Sequence, residues 1–179
     1  MRYPRFKTEE ELLRAILRLF PYNSYPKVSA IGGRKINPDI DMLLIERTSQ
    51  YQRTIGYEIK LIKFDKRNRG ISWNSFYSGI GQALLYLRNG VNRAFLVLGF
   101  HDNILNDELI DEFLDQLQSE RELLKRILGN YISIGIYIGY LMTIVWAEHD
   151  FHPPDERTKL LSEELLHGKF TFDKRLKGE

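Results

Sequence analysis

Four charged residues stand inside two apolar runs in "NPDIDMLLIERTSQYQRTIGYEIKLIK", residues 37–63. Asp39 and Asp41 open the first run, and Glu58 and Lys60 interrupt the second. Strand alternation puts Glu58 and Lys60 on one face and Tyr57, Ile59 and Leu61 on the other. A turn centred on Gln50 makes facing positions sum to about 100, which brings Asp41 within about one residue of Glu58 and Lys60. Asp39 falls about two residues further out, and a slip of that size keeps it as the alternative to Asp41. Two converging carboxylates repel unless a cation holds them or one keeps its proton. Their hard oxygens suit Mg²⁺ or Mn²⁺, and a neighbouring lysine can orient a water or balance charge on a pentacovalent phosphate. The competing reading is a half-exposed hairpin with a cross-strand ion pair.

The elements that must position these groups are legible from periodicity. Thr8 with Glu11 three residues on starts a helix that carries Leu12, Leu13, Ile16, Leu17 and Phe20 and stops at Pro21. A short strand at 27–31 and the loop "GGRKINP" lead into the hairpin, with strands over roughly 40–46 and 55–62. The basic loop "KFDKRNRG" follows, then a helix over roughly 75–89 closed by Gly90. "RAFLVLGF" reads as a buried strand and "NDELIDEFLDQLQSERELLKRIL" as one long helix between Asn106 and Gly129. "YISIGIYIGYLMTIVWAE" gives one or two strands, "PPDERTKLLSEELLHG" a terminal helix, and the last ten residues are expected to fray. The order describes one α/β domain over 1–179, with a core at about 8–148, a C-terminal helix and tail at 153–179, and a mixed central β-sheet flanked by helices.

Composition narrows the classes. The 179 residues are 43% hydrophobic and 28% charged, as in globular proteins. The absence of cysteine excludes disulfides, thiolate metal sites, iron–sulfur ligation and a cysteine nucleophile. The longest apolar run, 132–147, is interrupted by Ser133, Gly135, Gly139, Tyr140 and Thr143, so no membrane span is expected. The N-terminus lacks the apolar core of a secretory signal, which points to the cytoplasm. The net charge of +2 conceals 15 Lys/Arg against 8 Asp/Glu in residues 1–70, and 11 against 16 in the rest. The hairpin therefore lies in the basic part, as suits a polyanionic partner.

Further polar residues fall near the hairpin. Gln82 and Tyr86, four apart, share one face of helix 75–89 with Ser78, opposite an apolar side of Ile80, Ala83, Leu84 and Leu87. Glu9 precedes Leu12 and Leu13 by three and four residues and so continues the buried face of the first helix. Arg34 and Lys35 in one loop, and Lys63, Lys66, Arg67 and Arg69 in another, flank the hairpin and could contact phosphates. Trp73, Phe76 and Tyr77 could stack on bases, although aromatics that start a helix usually join a core. "EHDFH" (Glu148, His149, Asp150, His152) reads as a strand-to-helix loop.

"PDID", an apolar strand, a turn and "YEIK" resemble the pattern of the PD-(D/E)xK nuclease superfamily. "QALLY" is similar to the Gln-x-x-x-Tyr motif of its RecB-like members, and "EEEL" to the Glu-x-Glu-Leu of archaeal Holliday junction resolvases. The resemblance spans roughly residues 9–90. It implies a restriction-endonuclease-like core and a Mg²⁺- or Mn²⁺-dependent deoxyribonuclease, hydrolysing phosphodiester bonds with metal-activated water. Asp41 (or Asp39), Glu58, the Ile59 backbone carbonyl and Glu9 would bind the metal. Lys60 would act on the attacking water, with Gln82 and Tyr86 beside it. The implied partners are double-stranded or branched DNA and a second copy in a homodimer, with 131–147 as candidate interface. A DNA-binding protein without activity and a branch-specific endonuclease are the alternatives.

Overall fold

The apolar runs become strands of one mixed sheet in a computed structural model that describes residues 2–129, 132–147 and 155–178. The elements are β1 (Arg5–Phe6), α1 (Glu9–Leu17), β2 (Ser24–Ile31), β3 (Arg34–Arg47), β4 (Gln52–Ile62), β5 (Phe64–Asp65) and β6 (Gly70–Ile71). There follow α2 (Asn74–Arg88), β7 (Arg93–His101), α3 (Asp107–Ser119), α4 (Arg121–Leu128), β8 (Ile132–Tyr137), β9 (Met142–Trp146), α5 (Lys159–Leu166) and β10 (Phe170–Thr171). A short 3₁₀ turn, Lys174–Lys177, comes last. The strand order is β10-β2-β3-β4-β7-β8-β9, with β1 added to β7. β2, β3 and β4 pair antiparallel; β4–β7 and β7–β8 pair parallel, joined by helical crossovers. Among the described residues no helix is long and apolar enough to cross a membrane.

Alternation along β4 divides the molecule. Ile55, Tyr57, Ile59 and Leu61 pack with Leu12, Leu13 and Ile16 of α1. The intervening Gly56, Glu58 and Lys60 turn toward α2. Two glycines let α2 lie close to that face. A Cβ on Gly56 would stand 2.9 Å from Tyr86 Cδ2, and one on Gly79 would stand 2.9 Å from Lys60 Cγ. Both are below ordinary contact distance, so the Tyr86 ring and the Lys60 stem occupy room that a larger residue would fill.

Several elements differ from the sequence-based expectation. The long helix breaks at Glu120 into α3 and α4, where the Ser119 hydroxyl bonds the Gln116 carbonyl. The buried face of α2 holds Phe76, Gly79, Ile80, Ala83 and Tyr86, leaving Leu84 43% exposed rather than on the apolar side. Tyr86 belongs inside because its hydroxyl finds partners there, described below. Within the 131–147 segment, β8 is buried between β7 and β9, whereas β9 forms the sheet edge and Tyr140 is exposed. The tail is not frayed, since β10 pairs with β2 and Phe170 and Phe172 pack against Tyr25. The loop at 63–70 folds into the β5–β6 hairpin, in which Asp65 accepts from Arg67 N and Asn68 Nδ2. The terminal helix begins at Lys159, and the "EHDFH" residues Glu148, His149, Asp150 and His152 lie outside the described residues.

Candidate active site

The β3–β4 register pairs Met42 with Tyr57, one off the expected sum, and continued one step it sets Asp41 across from Glu58. There the ladder passes to a side chain: Asp41 Oδ2 accepts from Ile59 N at 2.9 Å. Asp41 is 8% exposed and Glu58 2% exposed, and both face a cleft of about 830 Å³. Glu9, Lys27, Lys35, Asp39, Lys60 and Gln82 also line that cleft. The two carboxylates therefore share one face and one cleft rather than pointing to opposite faces of the hairpin.

Asp39 takes another position. Between Ala30↔Lys35 and Val28↔Ile40, β2 advances two residues while β3 advances five, a bulge that holds Pro38 and Asp39. Asp39 is exposed at the cleft and turns its backbone carbonyl toward the Tyr86 hydroxyl, 3.0 Å away. Beyond the bulge, Pro26 pairs with Met42 and Val28 with Ile40, so Lys27 stands opposite Asp41. Its ammonium donates to Asp41 Oδ1 at 2.6 Å. Burial lowers the Lys27 pKa, but the charge and hydrogen bond of Asp41, with Glu58 and Glu9, more than offset that and hold it above its usual value.

Among the described carboxyl groups Glu58 is the one shifted furthest from its usual value. Burial first, then the Asp41 charge, push its carboxyl up to about 8, against the opposing hydrogen bonds of Tyr86 and Lys60. Lys60 Nζ lies 3.3 Å from Glu58 Oε1 and 4.0 Å from Glu9 Oε1. The Tyr86 hydroxyl contacts Glu58 Oε2, the Asp39 carbonyl and the Asp41 N–H. A phenol has one proton and two lone pairs, so it cannot donate to both Glu58 and Asp39. With Glu58 protonated the network closes: the carboxyl and Asp41 N–H donate to the phenol oxygen, and the phenol donates to the Asp39 carbonyl. Burial, with Asp41 and Glu58 nearby, raises the Tyr86 pKa far above that of a free phenol, which keeps this proton in place.

Replacing Tyr86 by Phe is expected to lower stability by about 1–3 kcal/mol, because buried polar groups of Asp39, Asp41 and Glu58 lose their shared partner. Chemical denaturation at pH 7 measures this; an unchanged midpoint would remove the phenol from the network.

The remaining sequence-predicted residues divide. Gln82 lines the cleft, one turn before Tyr86. Glu9 does not continue the buried face: its side chain is 44% exposed at the first turn of α1, although it reaches the cleft rim. Lys35 lines the cleft, whereas Arg34 lies 3.5 Å from Glu164. Lys63, Lys66, Arg67 and Arg69 are exposed on and beside the β5–β6 hairpin. Phe76 is core and Trp73 packs on it and on Phe113, which leaves Tyr77 as the exposed ring of the three.

Among the described residues no three Asp, Glu or His side chains converge as a ready-made metal cage. The donors are instead a buried carboxylate pair open to a solvent-filled cleft. Such a pair fits a hard dication that keeps most of its waters, and a dication would let both acids ionise. Comparison with protein-family models and with curated proteins finds no match for this chain.

Proposed function

We propose that this chain is a divalent-cation-dependent deoxyribonuclease that hydrolyses phosphodiester bonds, built on a restriction-endonuclease-like core. The observation that carries the reading is the convergence of Asp41, Glu58 and Lys60 in one cleft, with Asp41 and Glu58 buried and adjacent. Asp41 and Glu58, joined by the Ile59 carbonyl and by Glu9 at the rim, would hold Mg²⁺ or Mn²⁺. When bound, the cation supplies Lewis-acid activation of water and of the phosphate. Lys60 orients the attacking water and meets the charge that develops on the phosphate oxygens. Gln82 and Tyr86 hold the lysine and the carboxylates in register. Lys35 in the cleft and Lys63, Lys66, Arg67 and Arg69 beyond it bind backbone phosphates without reading sequence.

One observation favours a second reading, a protein of this fold that binds DNA without cutting it. All four oxygens of the pair already have polar partners: Asp41 has Lys27 and Ile59 N, and Glu58 has Lys60 and the Tyr86 hydroxyl. A cleavage panel over linear, nicked, flapped and four-way DNA, with Mg²⁺, Mn²⁺ or EDTA, separates the two. The nuclease reading expects cleavage that EDTA abolishes. Salt-sensitive binding with no cleavage under any cation would establish the second.

A further inference from the structure

Lys27 is absent from the sequence pattern, yet it makes the shortest ion pair in the cleft. Its ammonium lies 2.6 Å from Asp41 Oδ1, on the strand that flanks β3 away from Glu58. Its backbone sits at φ 51°, a left-handed conformation that a lysine inside a strand adopts only when its surroundings impose it. The side chain is 40% exposed, so the ammonium can leave Asp41 for water without carrying a buried charge away. The other three partners of the carboxylate pair are less free: Ile59 N belongs to the backbone, Tyr86 is fully buried, and the Lys60 side chain is 15% exposed.

We propose that Lys27 is an internal competitor for the divalent cation: its ammonium sits on Asp41 Oδ1, and two cations at contact distance on one carboxylate repel, so each bound cation displaces it. The inference rests on the nuclease reading for the presence of that cation. Displacement lowers the affinity for free metal. It also releases a positive group into the cleft beside Lys35, where a DNA phosphate would hold it off Asp41. Metal and DNA therefore favour one another's binding through Lys27, and by linkage the effect is reciprocal.

The test is Mn²⁺ titration calorimetry on the full chain, comparing the natural protein with Lys27→Met, Lys27→Gly and Lys27→Arg. Lys27→Met keeps the stem and removes the charge. Lys27→Gly removes the charge and suits the left-handed backbone, so it remains informative should the Met variant fold poorly. Both are expected to bind Mn²⁺ at least about tenfold more tightly than the natural chain, as expected for removal of one cation competing at contact distance. Lys27→Arg should bind like the natural chain. Equal or weaker affinity in the neutral variants, with the natural chain still binding, overturns the role of Lys27 and leaves the nuclease reading standing. No binding in any of the four overturns both.

Discussion

Glu58→Gln is expected to end cation-dependent cleavage while making the protein more stable. The activity loss should be roughly 10³-fold or greater, since the substitution removes one of the two buried carboxylates proposed to hold the metal. The stability gain follows from the acid's environment. A carboxyl raised from its usual value of 4.5 to about 8 supports the folded state fully below pH 4.5. That contribution is lost as pH rises toward 8, because the unfolded chain releases the proton while the folded chain retains it. By pH 8 the loss is on the order of a few kcal/mol. An amide at position 58 reproduces the protonated acid, its NH₂ donating to the Tyr86 oxygen and its carbonyl accepting from Lys60. Melting curves in EDTA should therefore show the natural protein losing stability between about pH 4.5 and 8. The variant should stay level by comparison and melt roughly 5–10 °C higher at pH 8. Equal pH profiles would show that Glu58 is ionised in the folded protein, and cleavage at the natural rate would take it out of the site.

Lys60→Met separates binding from chemistry. Methionine keeps an unbranched stem in the narrow space opposite Gly79 and removes the ammonium beside Glu58. On the proposed reading, cleavage falls by roughly 10²–10³-fold, the scale of removing one donor to developing charge. Duplex affinity in EDTA should be largely retained, because Lys35, Lys63, Lys66, Arg67 and Arg69 remain. Lys60→Arg should not restore activity: the planar guanidinium is wider than an ammonium and places its donors differently. Single-turnover cleavage and a binding isotherm on the same duplex measure both quantities. A variant that cleaves normally would exclude Lys60 from the reaction, and one that loses binding and cleavage together would make it a DNA contact.

Both predictions use geometry that the sequence disclosed unevenly. Local patterns sufficed where a residue's place follows from its neighbours along the chain. Period-two alternation put Glu58 and Lys60 on one face of β4, and the short turn brought Asp41 to Glu58 within one residue. Helical spacing put Gln82 and Tyr86 on one side of α2, and Thr8 capped α1 as its type and position suggest, accepting from Glu11 N. Leu84 was misplaced for a related reason. Hydrophobicity drew the face of α2 toward leucine, whereas the buried phenol of Tyr86, held by three polar partners, turned it away.

The succession of the main helices and strands, the hairpin and the charged residues on it were legible in the sequence alone, whereas the short β1, β5, β6 and β10 and the break between α3 and α4 were not. The tertiary structure decided how strongly those charges are buried and what answers them. Lys27 shows why. Counting back from the Gly32–Gly33 turn would have set it opposite Pro38, and only the three extra residues of the β3 bulge slide it to Asp41. The size of a bulge depends on packing between strands rather than on the residues within it, so chain-local patterns cannot give it. The raised pKa of Glu58 has the same origin, since desolvation and a neighbouring charge come from residues distant in sequence.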